Sequence, residues 1–271
     1  MRIGVACLIL PLAVVPLAAQ WLNYPTPGTP RLPNGKPDLA APAPRTADRK
    51  PDLSGIWRLE PARCNPDGIN ACGGDYTGGP EFGNIAARLP ADLPYQPWAA
   101  ELVKKRMATQ GVEDPVALCQ PAGALRLFTY PPFRKIVQNP ALIVILSERD
   151  VTFRQIFTDG RPLPKDPSPS FNGYSIGKWE GDTLVVETIG FRDGIWLDRR
   201  GNPITEAAKM TERFRRVNFG NLEIEITIDD PKAYTKPWTV KLHEMVVPDT
   251  DLLEYYCQEN EKDTQHMPRK Q

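Results

Sequence analysis

Between residues 133 and 258 the chain alternates short β-type segments with turn residues, and this alternation constrains the fold more than any other feature. The segments are rich in β-branched and aromatic residues, whereas the intervals hold Gly, Pro, Asn and Asp, as in the hairpin turn Glu180-Gly181-Asp182. Because no long helix intervenes, the pattern argues against an α/β fold. Nine segments belong to this region: 133–138, 141–147, 151–157, 174–179, 183–189, 210–217, 222–228, 237–247 and 252–257.

A tenth segment, Gly55–Leu59, precedes them, and together they predict a mainly β fold. Sequential hairpins are typical of an antiparallel up-and-down barrel or a strongly curved sheet, since closure removes exposed strand edges. One helix is predicted at 97–110, where Pro97 is tolerated in the first turn and Gly111 ends the periodicity. Its apolar stripe should pack on the sheet and consists of Trp98, Leu102, Val103 and Met107.

Three consecutive parts of the chain are predicted to differ in role. Arg2 and the apolar run 3–17, followed by small residues, are typical of a signal peptide at 1–19. Residues 20–53 hold eight of the chain's 30 prolines and little periodicity, which predicts a Pro-rich extended arm, more simply a disordered spacer than a binding element. Residues 54–271 are expected to form a single barrel domain with long loops.

Composition and the leader restrict partners and location. The 33 Lys and Arg residues balance the 33 Asp and Glu residues, so no net field favours nucleic acid. No segment after the leader reaches the about 20 apolar residues that span a bilayer, so stable membrane insertion after cleavage is not expected. The mature protein is therefore predicted to be periplasmic or secreted.

Four cysteines remain after cleavage: Cys64, Cys72, Cys119 and Cys257. Their even number and the expected export predict disulfides, for which three pairings are open. A local Cys64–Cys72 bond with a long-range Cys119–Cys257 bond is the favoured pairing. A four-cysteine zinc site typically contains a Cys-x-x-Cys pair, which the chain lacks. With only two histidines, a histidine-rich metal site is not expected either. No metal and no cofactor are predicted.

Two motifs carry a resemblance. Gly55-x-Trp57 resembles the opening of lipocalin-type barrels, in which the tryptophan closes one end. The run 173–186, Gly-Tyr-Ser-Ile-Gly-Lys-Trp-Glu-Gly-Asp-Thr-Leu-Val-Val, resembles the signature of a family of secreted bacterial proteins. The resemblance implies a calycin-like barrel. Members of that family often carry histidine where this chain has Tyr174, Ile204 and Lys209, which weakens any catalytic expectation here.

Candidate ligand-binding residues lie on the predicted strands. If Arg213 and Arg215 point into the barrel, they form a clamp for a carboxylate or phosphate. If they point outward, they form a ladder with Glu223 and Glu225 on the next strand, which is the favoured arrangement. Aromatic contacts to a ligand could come from three further residues, Trp179, Trp196 and Tyr174.

Carboxylates give weaker candidates for catalysis. Glu180 and Asp182 flank a turn and could act as an acid–base pair on a glycoside, although a structural turn is the favoured interpretation. Glu212 is the third candidate. The leading hypothesis is an exported barrel that binds a small amphipathic or anionic ligand in its interior. The alternatives are a hydrolase, lyase or isomerase acting on plant-derived carbohydrate or aromatic compounds, and a structural or interaction protein of the cell envelope.

Overall fold

A computed structural model describes residues 24–60, 80–109 and 111–258. The predicted signal peptide and the cysteines Cys64 and Cys72 lie outside the described residues. Nine strands form one closed barrel in sequential order, with the first strand paired to the last. They are β1 (Gly55–Leu59), β2 (Arg134–Asn139), β3 (Leu142–Ser147), β4 (Phe153–Phe157), β5 (Tyr174–Glu180), β6 (Thr183–Ile189), β7 (Lys209–Arg216), β8 (Asn221–Asp229) and β9 (Trp238–Val246). The predicted mainly β barrel is confirmed.

One junction of the barrel is parallel, and the strand number requires it. A ring of strands returns to its own direction only after an even number of reversals, so nine junctions hold at most eight antiparallel ones. The parallel junction lies between β4 and β5 and comprises two register pairs, Ile156 with Ser175 and Phe157 with Ile176. All other junctions are antiparallel. We call the β4–β5 junction the seam.

The segment 252–257, predicted as a strand, is not one, and that prediction was wrong. Tyr255 makes a single isolated bridge to Arg149. The place beside β9 is taken by β1, so no edge of the ring is open to another strand. The segment predicted at 151–157 begins two residues later, because Asp150 and Val151 adopt positive φ angles of 57° and 47° in the β3–β4 turn.

The interior is filled with side chains that alternate along each strand. On β8 the buried residues are Leu222, Ile224, Ile226 and Ile228, as the alternation predicted. We call the end of the barrel at which β1 leaves and β7 begins the upper end. The space there, among apolar residues that include Phe191, Ile204 and Met210, measures only about 10 Å³. That volume is at the lower limit for one water molecule. The ligand cavity expected inside the barrel is therefore not present among these residues.

The upper end, where β1 leaves and β7 begins, is covered by loops and by the helix α1 (Pro97–Ala108). The helix packs through Ala99 and Val103, and its Trp98 Nε1 donates to the Lys232 carbonyl at 2.7 Å. Trp98 and Met107 of the predicted apolar stripe are nearly half exposed, so the stripe is buried only in part. No helix among the described residues has the length and apolarity to cross a membrane.

The lower end is covered by the arm, which contains a ten-residue repeat. Residues 30–39 and 44–53 share the pattern Pro-Arg-x₄-Lys-Pro-Asp-Leu, and we call them the first and second clip. Each is closed by the same three backbone bonds: Leu32 N to Lys36 O, Gly35 N to Leu32 O and Asp38 N to Pro30 O in the first, and Thr46 N to Lys50 O, Arg49 N to Thr46 O and Asp52 N to Pro44 O in the second. The described part of the arm is thus folded, unlike a disordered spacer.

Each clip is bound to the barrel by one arginine, which pairs with an aspartate of the barrel. Arg31 forms a bidentate pair with Asp249, after β9, and Arg45 forms one with Asp182, in the β5–β6 turn. Each arginine holds the pKa of its partner carboxyl below the usual range, chiefly through the side-chain hydrogen bond. Leu53 at the end of the second clip is buried against the barrel core. The exposed ion pairs add little stability, so burial of the leucine contributes more to holding the arm.

A disulfide joins Cys119 to Cys257, with Cα atoms 5.5 Å apart. The long-range bond that was favoured on sequence is confirmed. It ties the loop before β2 to the segment that follows β9.

Glu244 on β9 predicts an unusual pH dependence of stability. Its carboxylate is fully buried inside the barrel; Oε2 accepts from Arg134 at 2.7 Å, and Oε1 has no partner among the described residues. Burial outweighs the arginine and raises the pKa of Glu244 from 4.5 to about 7. Because the folded state then holds this proton more tightly than the unfolded state, stability should fall as pH rises from 4.5 through 7 and level off above.

We expect the free energy of unfolding to be larger at pH 5 than at pH 8, with a contribution from Glu244 on the order of 3 kcal/mol. Burial raises the pKa of Asp198 and Asp150 as well, which adds in the same direction. Urea unfolding at several pH values would measure the slope, and Glu244→Gln should flatten it. Equal slopes in the wild type and in Glu244→Gln would show that Glu244 is ionised in the folded protein over the whole measured pH range.

Candidate ligand-binding cleft

A cleft of about 460 Å³ opens in the barrel wall at the upper half of the seam. Here β4 and β5 diverge above their two paired positions, and the Asn172 side chain donates to the Phe153 carbonyl at 2.9 Å across the gap. Gly173 lies at the start of β5 with φ 63°, and a Cβ there would lie 2.7 Å from both the Ile189 carbonyl and Thr188 Cγ2. Only glycine fits this close approach.

Aromatic side chains form the walls of the cleft. Its lining includes Phe153, Phe157, Phe171 and Tyr174. Phe153 is 61% exposed, which is unusual for a large apolar side chain on a barrel strand. The Phe157 and Tyr174 rings are stacked with centroids 5.3 Å apart. These surfaces suit a planar apolar ligand.

The floor of the cleft is formed by Arg154 and Ser175, which are both buried. Arg154 lies inside the barrel and is bidentate to Glu212, with Nη1 donating to Oε1 at 2.8 Å and Nη2 to Oε2. Its Nε and Nη2 also donate to Ser175 Oγ, at 3.2 and 3.1 Å, and Nη2 donates to Thr188 Oγ1 at 2.8 Å. A buried charged cluster therefore lies directly beneath an open cleft.

Two arginines flank the aromatic walls and differ in their partners. Arg161 lies 3.9 Å from the Phe157 ring centroid, but it is engaged by Asp159 and the Tyr174 hydroxyl. Its hydrogen bonds with Asp159 raise the pKa of Arg161 and lower that of Asp159. Arg192 lies 4.6 Å from the Phe171 centroid and has no carboxylate partner among the described residues. Arg192 is not itself among the residues that line the cleft, but it lies over the ring of one that is, Phe171.

Of the five predicted ligand-binding residues, the cleft contains Tyr174. Arg213 and Arg215 point outward from β7. Arg215 is paired with Glu223 at 3.0 Å, as in the predicted ladder, whereas Arg213 is paired with Glu180 at 3.1 Å and Glu225 with Lys241. A shallow concavity of about 300 Å³ lies over them on the outer wall. Neither arginine reaches the interior.

The two predicted tryptophans lie away from the cleft. Trp179 is partly buried against the core, and Trp196 is buried beneath the Arg106 guanidinium, 4.5 Å from the ring centroid. Neither ring lines the aromatic walls at the seam.

The three catalytic candidates are not brought together. Glu180 and Asp182 are exposed at the lower end, paired with Arg213 and with Arg45 of the arm. Glu212 is inside the barrel, bound to Arg154. The described residues therefore show no common cavity between these carboxylates.

A larger concavity, of about 490 Å³, lies between α1 and the upper loops. Asp193 and Glu206 meet at its edge, where Lys232 bonds to Glu206 and lowers the pKa of Glu206 to about 2. These groups are exposed and already paired with each other, and the buried polar residue of the lining, Thr205, is hydrogen-bonded to Asp230. This concavity therefore offers fewer unpaired groups for binding a ligand than the cleft does, despite its larger volume.

Sequence reasoning missed Arg154, Ser175 and Arg192. A signal for Arg154 was present, because the alternation along the strand places it on the same face as the buried Ile156. A cation in an apolar register predicts a buried partner. Ser175 and Arg192 carried no comparable signal, since serine and arginine are ordinary at strand ends and in loops.

No protein-family model matches the chain, and no curated protein matches it either.

Proposed function

We propose that the protein is an exported barrel that binds a small amphipathic, anionic ligand at the seam cleft. The observation that carries the proposal is the exposed Phe153 in an aromatic lining that includes Phe171, above a floor that contains the buried Arg154. The Arg192 guanidinium lies over the Phe171 ring and has no carboxylate partner among the described residues. An apolar ring would lie against the aromatic walls, and an anionic substituent would accept hydrogen bonds from Arg192. The site proposed from sequence thus moves from the interior to the wall.

Binding is favoured over hydrolysis by the composition of the cleft. Its described lining contains neither Asp nor Glu, whereas glycoside hydrolysis requires two carboxyl groups across the substrate. The buried Arg154 is also occupied by Glu212, which leaves it as a fixed positive charge and not as a proton donor. A hydrophobic cleft with few polar groups is typical of a ligand site.

The proposed export and family rest on the sequence. The leader-like residues 1–19 support export, and the Cys119–Cys257 bond is typical of oxidising compartments. The run 173–186 supports membership of the secreted family that it resembles. It forms β5 and β6 and includes the cleft residues Gly173, Tyr174 and Ser175.

The proposal predicts that an aromatic sulfonate, 1-anilinonaphthalene-8-sulfonate, binds with enhanced fluorescence. Arg192→Ala should weaken binding about tenfold, because one charge-assisted contact is lost. Phe153→Ser should weaken it similarly through lost ring contact. The matched control is Arg215→Ala, which removes an exposed arginine from the outer wall. Fluorescence titration would measure all four proteins, and equal affinity in Arg192→Ala and Arg215→Ala would contradict the cleft as the site.

The natural ligand can be sought in protein exported by its native route. Mass spectrometry of compounds that co-purify with the wild type, but not with Phe153→Ser, would identify it. Recovery of the same compounds from both proteins would place any ligand elsewhere.

A further inference from the structure

The Cys119–Cys257 disulfide is attached to both sides of the seam cleft. On one side, Cys119 is two residues from Pro121, which lines the cleft, and it adopts a positive φ of 58°. On the other side, Cys257 ends a segment that contacts the β3–β4 turn, from which Val151, Thr152 and Phe153 enter the lining.

The contacts from the C-terminal segment to that turn are backbone hydrogen bonds. Tyr255 N donates to the Glu148 carbonyl at 3.2 Å, and the Asp150 N–H donates to the Tyr255 carbonyl at 3.0 Å. Leu253 N donates to the Glu148 carboxylate at 3.1 Å. The Arg149 guanidinium lies 5.6 Å from the Tyr255 ring centroid. The turn is therefore held from outside by a segment whose own anchor is the disulfide.

The turn needs this support because its backbone is strained. Asp150 and Val151 both have positive φ angles, and Val151 is β-branched, so its φ of 47° is disfavoured. The loop comprises the four residues 148–151, closed by the Ser147 N–H to the Thr152 carbonyl, and positive φ angles in such loops normally fall on Gly, Asn or Asp. The Asp150 carboxylate oxygens are buried and make no hydrogen bond among the described residues; Oδ2 lies 3.3 Å from Arg149 Nε as an ion pair. Without the C-terminal segment, the turn would relax and carry Phe153 with it.

We propose that the Cys119–Cys257 disulfide controls ligand affinity at the seam cleft, so that the rim of the site is fully ordered only in the oxidised protein. This proposal rests on the proposed function. Reduction by a dithiol breaks the S–S bond: the dithiol supplies two electrons and two protons, both cysteines become thiols, and the dithiol becomes a disulfide. The freed C-terminal segment then leaves the turn, and the cleft loses its ordered rim. A chain that has not reached an oxidising compartment would therefore bind more weakly.

The test compares 1-anilinonaphthalene-8-sulfonate binding to oxidised protein, to protein reduced with dithiothreitol, and to Cys119→Ser/Cys257→Ser. We expect affinity to fall about tenfold in the last two, with the far-ultraviolet circular dichroism of the barrel retained. Cys64→Ser/Cys72→Ser is the control: it should bind as the wild type does and lose affinity on reduction. Hydrogen exchange should accelerate at the Asp150 amide and stay slow on β8.

A rescue variant separates a local role from a global one. Val151→Gly removes the strain at the positive φ position, so in the Cys119→Ser/Cys257→Ser background it should restore most of the lost affinity. Unchanged affinity in reduced, folded protein would show that the disulfide does not regulate ligand binding, while the cleft would remain the site. Loss of the barrel on reduction would overturn it too, since the bond's role would be global. Absence of binding in the oxidised protein would instead refute the proposed function.

Discussion

Arg154→Met should lower the free energy of unfolding by about 3–5 kcal/mol. The substitution leaves the Glu212 carboxylate fully buried without its bidentate partner, and it removes both arginine bonds to Ser175. An uncompensated charge in an apolar interior is among the most destabilising changes a fold can receive. Urea unfolding at pH 7 would measure the loss.

The double variant Arg154→Met/Glu212→Leu tests whether the cost belongs to the pair. Replacing both charges with apolar side chains removes the buried charge, so most of the stability should return. Arg215→Met is the surface control: its pair with Glu223 is about half exposed, and the loss there should stay below about 1 kcal/mol. Equal losses for Arg154→Met and Arg215→Met would show that water reaches the interior pair.

Trp57→Ala should cost about 3–5 kcal/mol, because it opens a cavity at the lower end of the barrel. The side chain is fully buried, and its Nε1 donates to the Leu53 carbonyl at 3.0 Å. Arg216 lies 4.8 Å from the ring centroid, and burial lowers the pKa of Arg216 to about 10. The ring therefore supports both the arm and a buried cation.

Two measurements check this expectation. Trp57→Phe keeps an aromatic ring and should lose less than Trp57→Ala in urea unfolding. The Gly220 amide, which donates to the Leu39 carbonyl of the arm, should exchange faster in Trp57→Ala. Slow exchange at Gly220 together with full loss of stability would show that the arm is held independently of the ring.

The barrel was predictable, but the seam was not, and one strand explains the difference. Hydrophobic alternation correctly predicted the inward face of β8. The sequential hairpins predicted a barrel or a strongly curved sheet, and the structure is the closed barrel. Ten predicted strands would close with every junction antiparallel. Because 252–257 forms only the bridge from Tyr255, nine strands remain, and one junction must be parallel. Local patterns carry no information on this count, since it depends on which strands meet at closure.

The positions of the cleft residues likewise depend on contacts between residues that are distant in the sequence. Phe153 and Phe171 were seen as strand and loop residues, and nothing local brings them together. Arg213 and Arg215 were predicted as candidates because charges on a strand are visible in the sequence. Their register with Glu225 and Glu223 favoured the outward orientation, which the structure shows. Arg154 was overlooked although its alternation with Ile156 placed a charge in the core.

The order in which the chain is made conflicts with the order in which it can close. The ring is sealed by β1 against β9, and the arm binds Asp249, with Thr26 and Asp249 separated by 223 positions. The arm, which is synthesised early, thus docks only after β9 and Asp249 have been made. Such distant pairings slow folding, and an unpaired β1 and β8 would meanwhile present open edges to other chains. A nascent chain that ends before β9 therefore has neither a closed ring nor a docked arm, and its completion depends on protection until the final strand arrives.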